Sequence, residues 1–176
     1  MTEHYINTSD IRKYADKLNV GDKVYLSGTV FTARDAAHKK IFELIAQNKE
    51  LPFNIKDAVI YYAGPTPTPN GMAIGSCGPT TSGRMDPYTP TLLDMGLAAT
   101  IGKGERNAEV ISSIIKNKSP YLCSIGGAGA LACTSITKCD IIAFDELGCE
   151  SIKKLEFYNF PLIVAIDIYG NSIFKR

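Results

Sequence analysis

The sequence predicts an α/β fold with a mixed sheet, and three observations lead to this prediction. Apolar segments of strand length alternate with segments of helical period through the middle of the chain. Strand-like segments then follow one another near its end. The length of 176 residues suits one domain covering residues 1–176, and the sequence contains no internal repeat, low-complexity tract or linker.

The first third of the chain has patterns typical of two helices and two strands. Ser9 or Asp10 is suitable as the cap of a first helix, and polar and apolar side chains then alternate around Val24 and Leu26. We expect a helix at residues 9–18, a strand at 23–32, a helix at 35–49 and a strand at 58–63.

The second half predicts a longer series of alternating elements. We expect helices at residues 88–95, 105–116 and 127–132, strands at 97–101, 121–125, 140–144, 153–158 and 162–169, and a turn at 169–171.

Residues 64–83 form an unusual segment with four prolines and five glycines, which excludes a long regular element. Loops longer than about 12–15 residues are uncommon in compact domains and are usually functional or disordered. Because the segment also contains Met72, Ile74 and Cys77, we expect it to be ordered.

Composition argues against several classes of partner. A net charge of +1 gives no reason to expect binding to nucleic acid or to an anionic membrane. No apolar stretch is long enough to span a bilayer, and the first five residues lack the pattern of a signal peptide. We therefore expect a cytoplasmic protein in which any anion site depends on a local cluster of basic residues.

The five cysteines are odd in number and include no CxxC pair, so neither a disulfide framework nor a zinc ribbon is predicted. We expect reduced and mostly buried thiols, and no metal ligands from this chain.

Three short segments place a basic residue where a strand or loop ends and a helix begins. They contain Arg34, Arg84 and Lys103. In α/β folds ligands bind at this edge, and helix N-termini favour anions. Each of these three residues, taken singly, is also consistent with an ordinary solvated charge on the surface. Together, two Arg forks and one Lys point charge suit a small dicarboxylate.

Two further features are open to more than one interpretation. Of Thr80 and Thr81, one hydroxyl is expected to cap the following helix, with Ser82 as an alternative cap, and the other to face a ligand. The glycine-rich residues 124–130, around Gly126, could cradle a phosphate, but they lack the full GxGxxG spacing. Close backbone packing, or a place beside the same site, is the alternative for this turn.

Several segments together resemble a known family, the β subunits of class I iron–sulfur fumarase and L-tartrate dehydratase. The resemblance runs in order from about residue 20 to residue 174. Its most specific string is Gly-Pro-Thr-Thr-Ser-Gly-Arg-Met-Asp. The matching segments are residues 33–39, 63–67, 78–86 and 160–164, with Asp167, Gly170 and Asn171.

The resemblance implies a swivelling β/β/α domain that acts as the β subunit of a hydro-lyase. It implies that Arg34, Arg84 and Lys103 hold substrate carboxylates and that Thr80 helps to move the substrate proton. It also implies a partner α subunit that binds the [4Fe-4S] cluster, as Lewis acid for the leaving hydroxyl, in an α2β2-type assembly. His38 matches the motif too, as a structural hydrogen-bonding residue or as a ligand contact.

We therefore expect reversible hydration of a C4 dicarboxylate, such as fumarate to malate, by an enzyme that is active only with both subunits. Three alternatives stay open. They are a tartrate dehydratase, whose product would be oxaloacetate, a non-catalytic dicarboxylate-binding domain, and a dinucleotide-binding domain that uses the Gly126 region.

Overall fold

Seven strands form one mixed sheet in the computed structural model, which describes residues 1–124 and 129–174, with the side chains of residues 130 and 131 excepted. The order across the sheet is β1-β2-β3-β4-β5-β7-β6. The strands are β1 (Glu3–Asn7), β2 (Lys23–Thr32), β3 (Val59–Tyr61), β4 (Ala99–Gly102), β5 (Tyr121–Cys123), β6 (Ile136–Ala143) and β7 (Ile152–Ile166).

Strand β7 closes part of this sheet into a five-stranded barrel. It pairs antiparallel with β5 on one side and with β2 on the other. Strands β2, β3, β4 and β5 pair parallel in that order, so they complete the ring. Closure leaves β1 and β6 as flanking strands and gives the parallel strands a common carboxyl edge.

Five α-helices connect or flank the strands among the described residues. They are α1 (Ile11–Tyr14), α2 (Asp35–Ala46), α3 (Thr89–Asp94), α4 (Ala108–Asn117) and α5 (Gly129–Ala132). Short 3₁₀ helices occur at Thr8–Asp10, Ala15–Lys17, Ser82–Met85, Cys133–Ser135 and Asp145–Glu150. No helix within the described residues is long and apolar enough to cross a membrane.

Strand β3 explains why the apolar residues form two cores. Side chains alternate across a strand, so Val59 and Tyr61 pack in one cluster, while Ile60 and Tyr62 pack in the other. The first cluster also contains inward residues of β2 and β7. The second lies between the sheet and the buried faces of α2, α3 and α4.

Most predicted elements are confirmed, with several differences. The strand predicted at 140–144 begins earlier, at Ile136. Residues 127–128 of the helix predicted at 127–132, and residue 125 of the strand predicted at 121–125, lie outside the described residues. Strand β1 was not expected from the sequence.

The first helix is divided between 3₁₀ and α turns. The predicted Asp10 is at the N-cap position of α1 but makes no side-chain cap hydrogen bond, and the capping bond is instead made by Asn7, whose side chain accepts the Ser9 N–H at the start of the 3₁₀ turn. The two strands predicted at 153–158 and 162–169 are one strand, β7, because both of its halves pair with β2.

Candidate active site

The carboxyl ends of β2, β3 and β4 position the residues that the sequence singled out. Arg34 follows the last residue of β2 by two positions, and Lys103 follows β4 directly. The long loop after β3 returns to the same edge, where the Thr80 N–H donates to Tyr62 O at 2.6 Å. The next residue, Thr81, forms a parallel bridge with Lys103.

Arg34 lies against the start of this loop and between two carboxylates. Its Nε is 2.9 Å from a Glu150 oxygen and 3.4 Å from an Asp35 oxygen. A Cβ added at Gly64 would lie 3.0 Å from Arg34 Cδ and Nη1, so a larger residue there would push the guanidinium aside. The glycine therefore allows Arg34 to cross the backbone at this point.

Arg84 contacts the same aspartate through two of its guanidinium nitrogens. Its Nε is 2.8 Å from Asp35 Oδ1, and its Nη2 is 2.7 Å from Asp35 Oδ2. The Arg84 side chain is 52% exposed, so much of its guanidinium still faces solvent. One carboxylate thus bridges two of the three cations predicted to bind substrate.

Lys103 is held by its backbone and leaves its ammonium exposed. The Ser82 N–H donates to Lys103 O at 2.8 Å, and the Lys103 N–H donates to Ser82 Oγ at 3.1 Å. A Cβ at Gly102 would lie 2.0 Å from Ser82 Oγ, so only glycine permits this approach. Within residues 1–124 and 129–174, no carboxylate forms an ion pair with Lys103.

Thr80 is half-buried at this edge, but the predicted cap is wrong. The 3₁₀ helix begins at Ser82, and its N-cap residue, Thr81, makes no side-chain cap hydrogen bond. Ser82 instead bonds to the Tyr121 hydroxyl at 2.8 Å, and that hydroxyl donates to Gly104 O at 2.9 Å. Thr80 itself lies outside this 3₁₀ helix, two residues before its first residue.

A buried ion pair connects the two segments that follow Arg84 and Lys103. Arg106, whose side chain is 0% exposed, donates from Nε to Asp86 Oδ1 at 2.7 Å and from Nη2 to Thr89 Oγ1 at 2.6 Å. The other Asp86 oxygen accepts the Asn107 N–H at 2.8 Å. This pair ties the segment that follows Arg84 to the segment that follows Lys103.

His38 has a structural position in the fold. Its ring is fully buried and lies between Tyr62 and Tyr88, and its Nδ1 is 3.0 Å from Arg34 O. Burial lowers the pKa of His38 to about 4, so the ring is neutral at pH 7. Since the Arg34 carbonyl can only accept, Nδ1 carries the proton and Nε2 has no partner in the described part of the chain.

Comparison with known proteins identifies the family. The family model described as Fumarase C-terminus matches residues 2–176. The chain belongs to this family.

Similar proteins include fumarate hydratases and a tartrate dehydratase subunit. The chain is 45% identical over 159 residues to "Fumarate hydratase class I, anaerobic" of Escherichia coli, covering 89% of this chain and 29% of that protein. It is 42% identical over 168 residues to "Fumarate hydratase 2" of Leishmania major, covering 94% and 30%. It is 41% identical over 171 residues to "Putative L(+)-tartrate dehydratase subunit beta" of Methanocaldococcus jannaschii, covering 94% and 88%. The chain therefore spans less than a third of the fumarate hydratases.

The cysteines of this member of the Fumarase C-terminus family do not fit an iron–sulfur cluster. Cys77 and Cys133 are buried, Cys123 and Cys139 are partly buried, and Cys149 is exposed. Burial raises the pKa of Cys77 to about 12 and also raises that of Cys139, which disfavours the thiolate that binds iron. No group of three His, Cys, Asp or Glu residues in the described ranges could hold a metal ion.

Sequence reasoning missed several residues that organise the site. Asp35 directly follows Arg34 in the sequence, but nothing in the sequence indicated that its carboxylate also contacts Arg84. The sequence did not indicate that Glu150 contacts Arg34, because the two residues are far apart along the chain. Most of the Gly126 turn lies outside the described residues, so its role stays a prediction.

Proposed function

We propose that this chain is the β subunit of an iron–sulfur hydro-lyase that catalyses reversible hydration of a C4 dicarboxylate, fumarate to malate. The observation that carries the proposal is the convergence of Arg34, Arg84 and Lys103 at one carboxyl edge, in a chain of the Fumarase C-terminus family. Neither subunit is expected to work alone.

The three cations would bind the two substrate carboxylates. An Arg fork can hold one carboxylate through two hydrogen bonds, while Lys103 supplies a point charge on an exposed side chain. Removal of a proton next to a carboxylate leaves negative charge on that group. Cations already fixed in place stabilise this charge more than mobile ones do.

We propose Thr80 as a catalytic residue that moves the substrate proton. Its backbone is fixed by the short hydrogen bond to Tyr62 O, and it lies one residue from the bridge to Lys103. A hydroxyl is a poor base in water, so it would need a nearby cation or an acidic residue of the α subunit.

Binding of the [4Fe-4S] cluster is assigned to the α subunit, because the thiols of this chain do not suit it. In the same proposal residues 1–176 act as one swivelling β/β/α domain in an α2β2-type assembly. The relative named as subunit beta, of which the chain spans 88%, supports a two-subunit arrangement.

Dehydration of L-tartrate is the second candidate activity, and the same relative favours it. Carboxylate binding would be common to both reactions. A non-catalytic dicarboxylate-binding domain would keep the carboxylate clamp, which consists of Arg34, Arg84 and Lys103, and would have no turnover.

The test is co-expression with an α subunit of the same family type, followed by anaerobic assays with fumarate, malate and L-tartrate. We expect turnover of one of these substrate sets by the complex and none by either subunit alone. Turnover by this chain alone, or dicarboxylate binding by a complex without any turnover, would contradict the proposal.

A further inference from the structure

Asp35 occupies an unusual position between two residues of the clamp. Its Oδ2 is 2.7 Å from Arg84 Nη2 and 3.4 Å from Arg34 Nε, and its Oδ1 is 2.8 Å from Arg84 Nε. The Asp35 side chain is 31% exposed, against 52% for Arg84. The more buried carboxylate thus holds the more exposed guanidinium.

We infer that Asp35 is a positioning residue that fixes Arg84 and Arg34 for binding of the substrate carboxylates. The inference rests on the proposed function and deepens it. Asp35 takes the Nε edge of the Arg84 guanidinium and leaves Nη1 and one Nη2 proton for a second carboxylate. A half-exposed arginine without such a contact would lose several rotamers on binding substrate.

The start of α2 makes Asp35 a rigid support. Glu150 accepts the Ala36 N–H at 2.9 Å, which satisfies a free donor of the first helical turn. The Arg34 carbonyl accepts the His38 N–H at 2.8 Å and lies 3.0 Å from His38 Nδ1. The residues on both sides of Asp35 are therefore fixed by buried or half-buried partners, as an accurate binding site requires.

A supporting role of Asp35 and a blocking one predict opposite changes in substrate affinity. Within the described residues Asp35 and Glu150 offset two positive charges, and Lys103 has no ion-pair partner. A carboxylate that merely competed with substrate would weaken binding, so its removal would tighten it. A carboxylate that positions Arg84 gives the opposite sign, which makes the two roles separable.

The deciding experiment replaces Asp35 in the complex with the α subunit. Asp35→Asn keeps the shape but puts an amide N–H₂ group opposite one guanidinium donor, which breaks the two-point contact. We expect KM for fumarate to rise about tenfold, with a smaller change in kcat. Calorimetry should give the same rise in Kd for succinate, a dicarboxylate that cannot be hydrated.

Three further variants separate positioning from other effects of the substitution. Glu109→Gln is the control, because it removes an exposed carboxylate from the first turn of α4, as Asp35→Asn removes one from the first turn of α2. Both substitutions weaken the interaction with a helix dipole, but Glu109→Gln should change neither KM nor Kd. Asp35→Glu retains the charge and should recover part of the lost affinity. In an Arg84→Met background Asp35→Asn should add less than twofold, because its effect passes mainly through Arg84.

An unchanged or lowered KM and Kd in Asp35→Asn, with an active wild-type complex, would overturn the inference alone. A wild-type complex that binds succinate but turns over no substrate would overturn the proposed activity, and the succinate Kd would still decide the role of Asp35. A wild-type complex that binds no dicarboxylate would overturn both.

Discussion

Replacement of Asp86 by alanine should destabilise the chain strongly, because Asp86 neutralises Arg106 in the interior. The Arg106 side chain is 0% exposed and that of Asp86 is 8% exposed, so water cannot replace the lost carboxylate. Loss of one partner of a buried pair costs about 3–5 kcal/mol. The Asn107 N–H would also lose its acceptor at 2.8 Å.

Urea unfolding of wild type and Asp86→Ala measures this cost as a change in the unfolding free energy. Asp140→Ala is the matched control, since Asp140 pairs with Lys138 at 2.7 Å but both side chains are about half or more exposed. Its cost should stay below about 1 kcal/mol. Addition of Arg106→Met to Asp86→Ala should recover part of the loss, because it removes the unpaired charge. An Asp86→Ala cost no larger than that of Asp140→Ala would refute the reasoning.

Two other predictions concern His38 and the threonine pair. Since burial lowers the pKa of His38 to about 4 from 6.5, the unfolded state takes up the proton first, and the free energy of unfolding should fall by about 3 kcal/mol as pH falls from 6.5 to 4. His38→Asn, which does not titrate, should lack this slope in urea unfolding across that range, and parallel slopes for the two proteins would be inconsistent with a neutral buried ring. Thr80→Ala in the assembled enzyme should lower kcat about a hundredfold with little change in Tm, while Thr81→Ala should stay close to wild type. A larger loss in Thr81→Ala would mean that the wrong threonine was chosen.

The fold was predictable wherever one face of a segment is buried. Strand β2 matches the predicted residues 23–32, because its polar and apolar residues alternate. In β1 only Ile6 is buried, so its sequence carries almost no strand signal.

Strand β7 was predicted as two strands for a different reason. Pro161 and the left-handed Asn159, with φ 48°, interrupt its pattern. The strand nevertheless continues, because β2 has a matching irregularity between Leu26 and Gly28. The Asn159 N–H donates to Ser27 Oγ at 2.9 Å across this point. Such compensation between distant segments is not visible in either segment alone.

The sequence indicated that the three cations lie at one edge of the sheet, but it did not indicate their partners. Arg34, Arg84 and Lys103 stand out because glycines and strand ends surround them. Glu150 reaches Arg34 only because β7 and the 3₁₀ helix before it fold back to α2. Similarly, nothing local relates Arg106 to Asp86, since their pairing depends on the close packing of α3 and α4.

The most direct test of the account is the kcat/KM of the assembled enzyme after removal of each clamp charge. Arg34→Met, Arg84→Met and Lys103→Met should each lower kcat/KM for the dicarboxylate by about thirtyfold or more, because loss of a charged partner in a closed site costs about 2–5 kcal/mol. Lys13→Met is the control, since its side chain is 75% exposed and, in the part of the chain that the structure describes, forms an ion pair only with Asp10. It should leave kcat/KM unchanged. Near-normal kcat/KM in all three clamp variants, with each protein folded and assembled, would contradict the central claim that these residues bind the substrate.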